Sequence, residues 1–164
     1  VVREIKNCDF NEVHYSLYES IMSRTKNPLE RLGIEFFQRY NAKVIEFLDR
    51  ETMKVLAFVQ LKRIGDILYF MFCGFKKEDN ESNDLYFNML LEIVKEGINL
   101  GVRDINFGQT SEESKLKLGC VEVPKYLGIH HSNRVINIIL QTLLPIFSYR
   151  SYKVNHNVFK RDEF

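Results

Sequence analysis

The sequence predicts an α/β (α+β) fold, a mixed and mostly antiparallel sheet flanked by helices on both faces. Residues 43–48, 54–64 and 67–75 are rich in β-branched and aromatic side chains, and Gly65-Asp66 between the last two is a two-residue hairpin signal. These runs read as an antiparallel meander. An amphipathic stretch from Asp84 to Leu100 then separates the meander from a short strand at Val102 to Gly108, as parallel neighbours joined by a crossover helix require. The run from Ile67 to Phe75 is apolar on both faces, so it needs cover on both sides and a central place in the sheet.

Two helical patterns come before the meander. Asp9 and Glu12 have the spacing of a capping box ahead of Phe10, Val13, Leu17 and Ile21, which share one helical face. Asn27 as cap, Pro28 at the first helical position and Glu30 open a second helix with the stripe Leu29, Leu32, Phe36 and Tyr40, weakened slightly by Gly33. After the meander, Lys76 to Asn83 reads as a solvated polar loop. Tyr86, Met89, Leu90, Ile93, Val94 and Ile98 then form the apolar face of the crossover helix, which Gly101 ends.

Thr110 and Glu113 make a further capping box, so a short helix is expected from Ser111 to Leu118, closed by Gly119. Gly108, just ahead of it, reads either as a tight strand-to-helix corner or as a point where an anion or a polarised carbonyl approaches backbone amides. Cys120 to Ile129 is the expected last strand, confined by Pro124 to an edge or a bulge. Val135 to Phe147 is an apolar helix capped by Ser132 or Asn133 and ended or kinked by Pro145, too short to span a bilayer. Its apolar faces call for burial in their own domain, against a missing domain or second copy, or, least of all without a basic polar face, at a membrane.

Length and composition agree with one globular domain over residues 1–164, with 132–164 as an apolar C-terminal helix and tail. A net charge of +1 offers no broad field for nucleic acid, so no DNA partner is expected. Cys8, Cys73 and Cys120 are odd in number and far apart, which supports neither a disulfide framework nor a zinc site and fits a reducing, cytoplasmic setting. His130 and His131 are adjacent and would point to opposite faces of a strand, while His14 and His156 stand alone, so no metal is expected. Hydrolase elbows, Walker loops and dinucleotide fingerprints are missing. The start at Val1, with no initiator Met and no leader, reads as a domain excised from a larger protein.

Gly108-x-Thr110-x-x-Glu113-x-Lys115-x-x-x-Gly119, followed by Val123-Pro124-x-Tyr126 and His131-x-Asn133, resembles the C-terminal signature of the FemAB-like branch of the GNAT superfamily, which includes peptidoglycan-biosynthesis (cell-wall) proteins. The order of elements extends the likeness over nearly the whole chain. Two departures stand out. Gln109 replaces the Arg common in that branch, and the glycine-rich loop that many GNAT enzymes fold around the coenzyme A pyrophosphate is missing between Lys76 and Asn83.

The resemblance implies acyl or aminoacyl transfer to a small-molecule or peptide amine, with the chain as the C-terminal half of a larger protein. Under it, backbone amides near Phe72 and Cys73 polarise the donor carbonyl at a bulge, and Gln109, Thr110 and Lys115 line the far side of the cleft. A water relay or a carboxylate such as Glu46 or Asp104 is the candidate base and Tyr126 a candidate proton donor to the leaving group, while Tyr15, Tyr18 and Arg39 are candidate acceptor contacts. From its residues alone, Lys115 reads equally as a solvated helix lysine. No tightly bound cofactor is implied: the donor is acyl-coenzyme A or aminoacyl-tRNA, used as a substrate. The alternative is a GNAT-like half without chemistry that positions an acceptor or supports a partner domain.

Overall fold

Five strands, Val2–Ile5 (β1), Lys43–Leu48 (β2), Val55–Ile64 (β3), Ile67–Phe75 (β4) and Asp104–Asn106 (β5), form one sheet in the order β1-β2-β3-β4-β5. The first four are antiparallel neighbours, and β5 runs parallel to β4. The computed structural model describes residues 1–26, 30–109, 112–126, 128–147 and 158. The chain divides into two compact units, Val1–Thr110 and Ser111–Phe164.

In the first unit the meander falls where the sequence places it. Ile64 pairs with Ile67 across the Gly65-Asp66 turn, and Gly65 takes the left-handed φ of +58° that the turn demands. β1 is an addition to the expected meander: four residues with no alternating pattern of their own, ordered by pairing with β2.

Helices Glu12–Met22 (α1) and Ile34–Arg39 (α2) cover one face of the sheet and Leu85–Asn99 (α4) the other; Lys77–Asn83 (α3) precedes α4. Phe10, Leu17, Tyr18, Phe37, Val44 and Phe58 form the core under α1 and α2. The approach of α1 is very close: a Cβ at Gly74 on β4 would lie 2.7 Å from the Tyr18 amide nitrogen and 2.8 Å from the Leu17 carbonyl carbon. On the other face, Gly97 of α4 leaves room for Ile105 of β5.

Three helix boundaries differ from expectation. Asn11, not Asp9, caps α1: its Oδ1 accepts the Val13 N–H at 3.0 Å, and His14 Nδ1 accepts the Asn11 N–H at 3.1 Å. The shift in start buries His14, Leu17 and Tyr18 and leaves Val13 half exposed. Residues 30–33 are not helical, so the second helix begins only after Gly33; the expected cap Asn27 and Pro28 lie outside the described residues. Lys77–Asn83 is helical where a loop is expected, because its polar residues satisfy one another: Lys77 pairs with Glu81 at 3.5 Å, and Ser82 and Asn83 donate back to the Glu78 and Asp79 carbonyls.

The second unit holds Glu112–Leu116 (α5) and Arg134–Phe147 (α6). α5 closes as expected on Gly119 at φ +81°, whose N–H donates to the Leu116 carbonyl; its expected cap, Thr110, lies outside the described residues. The described residues between Cys120 and Ile129 form no strand. Val121, Val123 and Tyr126 are 85, 75 and 93% exposed, and Pro124 removes a ladder donor, so the Val-Glu-Val alternation finds no sheet to join. Asn133 caps α6 through the Val135 N–H at 2.9 Å, and the helix runs past Pro145 to Phe147.

Candidate functional site

The strongest irregularity of the sheet is where β4 and β5 part. Their ladder holds only Ile67↔Asp104, Leu68↔Ile105 and Tyr69↔Asn106, whereas β4 continues to Phe75. Beyond Asn106 the second strand turns away at Gly108, φ +68°, whose N–H donates to the Asn106 side chain at 2.8 Å. On the opposite side of β4 the pairing slips: Leu61 faces Phe70 and Gln60 faces Phe72, which leaves Met71 as a bulge residue. A parallel ladder that stops beside a bulge leaves a notch in the sheet.

Phe72 and Cys73 stand beside this notch, both partly buried, just past the bulge. The Phe72 ring meets Phe36, Phe37 and Tyr18 edge-on at 5.7, 5.4 and 6.4 Å. Gln109 is exposed at the far side, after Gly108; Thr110 lies outside the described residues. Hollows of about 500 and 600 Å³ occur elsewhere in this unit, and Phe72, Cys73 and Gln109 line neither.

The carboxylates proposed as bases are both engaged. Glu46 is 3% exposed, with Oε1 at 2.7 Å from His14 Nε2 and Oε2 at 2.7 Å from Arg3. Asp104 pairs with Arg103 at 2.9 Å and stands opposite Ile67, five residues along β4 from Phe72, or on the order of 15 Å at strand rise. Tyr15 and Tyr18 are tied to the loop before α2: the Tyr15 hydroxyl donates to the Leu32 carbonyl and the Tyr18 hydroxyl accepts the Leu32 N–H, each at 3.2 Å. Burial, and then Glu19 beside it, hold the Tyr15 phenol above its ordinary pKa. Arg39 is exposed.

After β4 the chain presents no nest of open amides. Asp84 takes a left-handed φ of +47°, the Tyr86 N–H donates to the Asn80 side chain at 2.7 Å, and the Asn88 N–H returns to the Asp84 carbonyl. Asn80 therefore satisfies one of the otherwise open amides at the N-terminus of α4.

In the second unit Lys115 is buried at 6% exposure, so its side chain is not on a solvated helix face. Cys120 follows it, N–H to the Lys115 carbonyl at 3.2 Å; burial raises its thiol pKa, against the pull of the Lys115 charge. Tyr126 is almost fully exposed. The His131-x-Asn133 pair proves to be a helix-start device, since His131 Nδ1 accepts the Asn133 N–H and the His131 N–H donates to the Asn137 side chain. Among the described residues no three His, Cys, Asp or Glu side chains are grouped to hold a metal, and no helix is long and apolar enough to cross a membrane.

No family model matches the chain, and no curated protein matches it significantly. Solved structures do. A Bacillus halodurans protein solved as a tetramutant superposes with a TM-score of 0.55 at 14% identity, over 80% of this chain and 99% of its own. A Trypanosoma brucei acetyltransferase gives 0.54 at 11% identity, again over 80% and 99%. The chain shares the GNAT-like mixed α/β fold of these structures. An aminoglycoside acetyltransferase from an uncultured soil metagenomic sample, solved with trehalose, shares this GNAT-like architecture at a TM-score of 0.52, 7% identity and coverage of 82% and 96%.

Sequence reasoning missed three polar features of this region: the Arg3–Glu46–His14 group, the Asn80 cap, and a buried Gln60 on β3. Only Gln60 left a signal, a lone carboxamide inside an apolar strand.

Proposed function

We propose that this chain is an N-acyltransferase-like domain in which an acyl or aminoacyl group passes to an amine held at the β4/β5 notch. The observation that carries the reading is the coincidence of the parted ladder with the bulge at Met71. There the amine attacks the donor carbonyl directly, the backbone near Phe72 and Cys73 stabilises the developing oxyanion, and alignment supplies most of the acceleration. The resemblance adds Gln109, Thr110 and Lys115 as donor contacts and Tyr126 as proton donor to the leaving group. With Glu46 and Asp104 each held in ion pairs, a water relay is the better candidate for the base.

The donor is acyl-coenzyme A or aminoacyl-tRNA, and the reading places the chain in the FemAB-like, cell-wall branch, in the cytoplasm. The apolar surface of α6, with Val135 and Ile138 each 64% exposed, would meet a preceding domain or a second copy.

A second reading, a half without chemistry that positions an acceptor, is favoured by one observation. Asn80 takes up a helix N-terminal amide, and the first turn of α3 just before it carries the acidic Glu78 and Asp79. On that ground coenzyme A binds weakly or not at all. The deciding experiment is a binding screen with coenzyme A, acetyl-coenzyme A and a charged tRNA, followed by single-turnover transfer to an amine. A ligand a hundredfold above its dissociation constant adds about 2.7 kcal/mol to apparent stability. A shift of that size at about 0.1 mM coenzyme A would move the assignment to an acyl-coenzyme A enzyme; transfer from neither donor would leave the second reading.

A further inference from the structure

Gln60 interrupts the apolar run Val55-Leu56-Ala57-Phe58-Val59-Gln60-Leu61 in the middle of β3. Its side chain is fully buried, and neither Nε2 nor Oε1 has a hydrogen-bond partner. Buried carboxamides are nearly always satisfied, so a pair of orphaned atoms on one side chain calls for something that completes it. Alternation with Phe58 puts Gln60 on the face covered by α1 and α2. Its cross-strand neighbour is Phe72, next to the Met71 bulge, and side chains opposed in this way stand about 5 Å apart. Since β4 borders the notch, the Phe72 ring stands between Gln60 and the opening.

We propose that Gln60, with Phe72 as its gate, forms a subsite for a neutral amide group, a carboxamide or a peptide unit, entered from the notch. An anion would meet Nε2 and leave Oε1 orphaned; a cation would do the reverse. A second amide satisfies both at once, its N–H donating to Oε1 and its carbonyl accepting from Nε2. The bulge residue Met71 immediately precedes Phe72, so the ring stands where the β3/β4 ladder is interrupted. The subsite depends on the geometry of the notch and not on acyl transfer, so it is tested by binding alone.

The test is a titration of the isotope-labelled chain with N-methylacetamide, following the side-chain amide signals of Gln60, assigned by their loss in Gln60→Leu. A saturable shift of those signals, with the Met71 and Phe72 amides moving alongside, is the expected result. Removing the gate in Phe72→Ala, or trimming it in Phe72→Leu, should tighten binding, by about tenfold if the closed ring outweighs the open one by that ratio. Gln60→Leu should abolish the response with the melting temperature unchanged or raised, because no satisfied hydrogen bond is lost. The proposal is overturned if the Gln60 signals stay still in wild type and both gate variants, if they report a resident water that the probe does not displace, or if Gln60→Leu lowers the melting temperature.

Discussion

A carboxylate taken out of water is costly unless its lone pairs are met, and Glu46 is met from two sides. His14 Nδ1 accepts the Asn11 backbone N–H, so the ring proton sits on Nε2 and points at Glu46 Oε1, while Arg3 holds Oε2 with two nitrogens. One histidine thus caps α1 with one nitrogen and anchors it to β2 with the other. Glu46→Ala should cost about 2 kcal/mol in urea unfolding, mostly from the buried Nε2–H left without an acceptor. Arg3→Ala should cost well under 1 kcal/mol, since that guanidinium is half exposed. Equal losses would mean that the ion pair, and not the histidine, matters most. Lys115 makes a similar case: at 6% exposure its stem is packed, so Lys115→Ala should cost about 1–3 kcal/mol, where a solvated lysine would cost next to nothing.

At the scale of elements, the closest fit is α1 against β4. A Cβ on Gly74 would stand 2.3 Å from the Phe58 ring and within 3 Å of two α1 backbone atoms, and backbone cannot step aside as a side chain can. Gly74→Ala should therefore destabilise by about 3 kcal/mol and push α1 outward, measurable as faster amide exchange in α1. That contact was invisible in the sequence, where Gly74 is only a glycine near a strand end. Strands β2 and β4 were legible to the residue because both are rich in β-branched and aromatic side chains and, for β4, a hairpin turn marks the start. The misses share one cause: partners that no local pattern encodes. β1 needs β2 beside it, α3 forms through polar pairs within itself, and the Cys120 to Ile129 alternation has no strand to meet. The notch was expected from the resemblance, since the residue types of β4 say only that it is buried, and the Asn80 cap across six residues was not legible at all.

At the scale of the first unit, Lys43 ties three elements together. Its ammonium lies 2.9 Å from Glu4 on β1 and 2.6 Å from Glu96 on α4, so a single charge joins the sheet edge to the helix on the face opposite α1. Burial alone would lower the lysine pKa, but the hydrogen bonds it donates to Glu4 and Glu96 outweigh it and hold the group above its ordinary 10.5. A cation whose folded pKa is raised contributes its full stabilisation below the unfolded value and loses it as pH climbs through the folded one. Lys43→Met should thus be less stable than wild type by about 1–2 kcal/mol near neutrality, because Glu96 is left buried without its cation. The gap should persist up to about pH 10 and close above 10.5 as wild type loses the same charge. Paired denaturation curves from pH 7 to about 11.5 measure it. A gap that held constant across that range would show that Lys43 acts by packing its stem, and that the charge joining sheet to helix adds nothing.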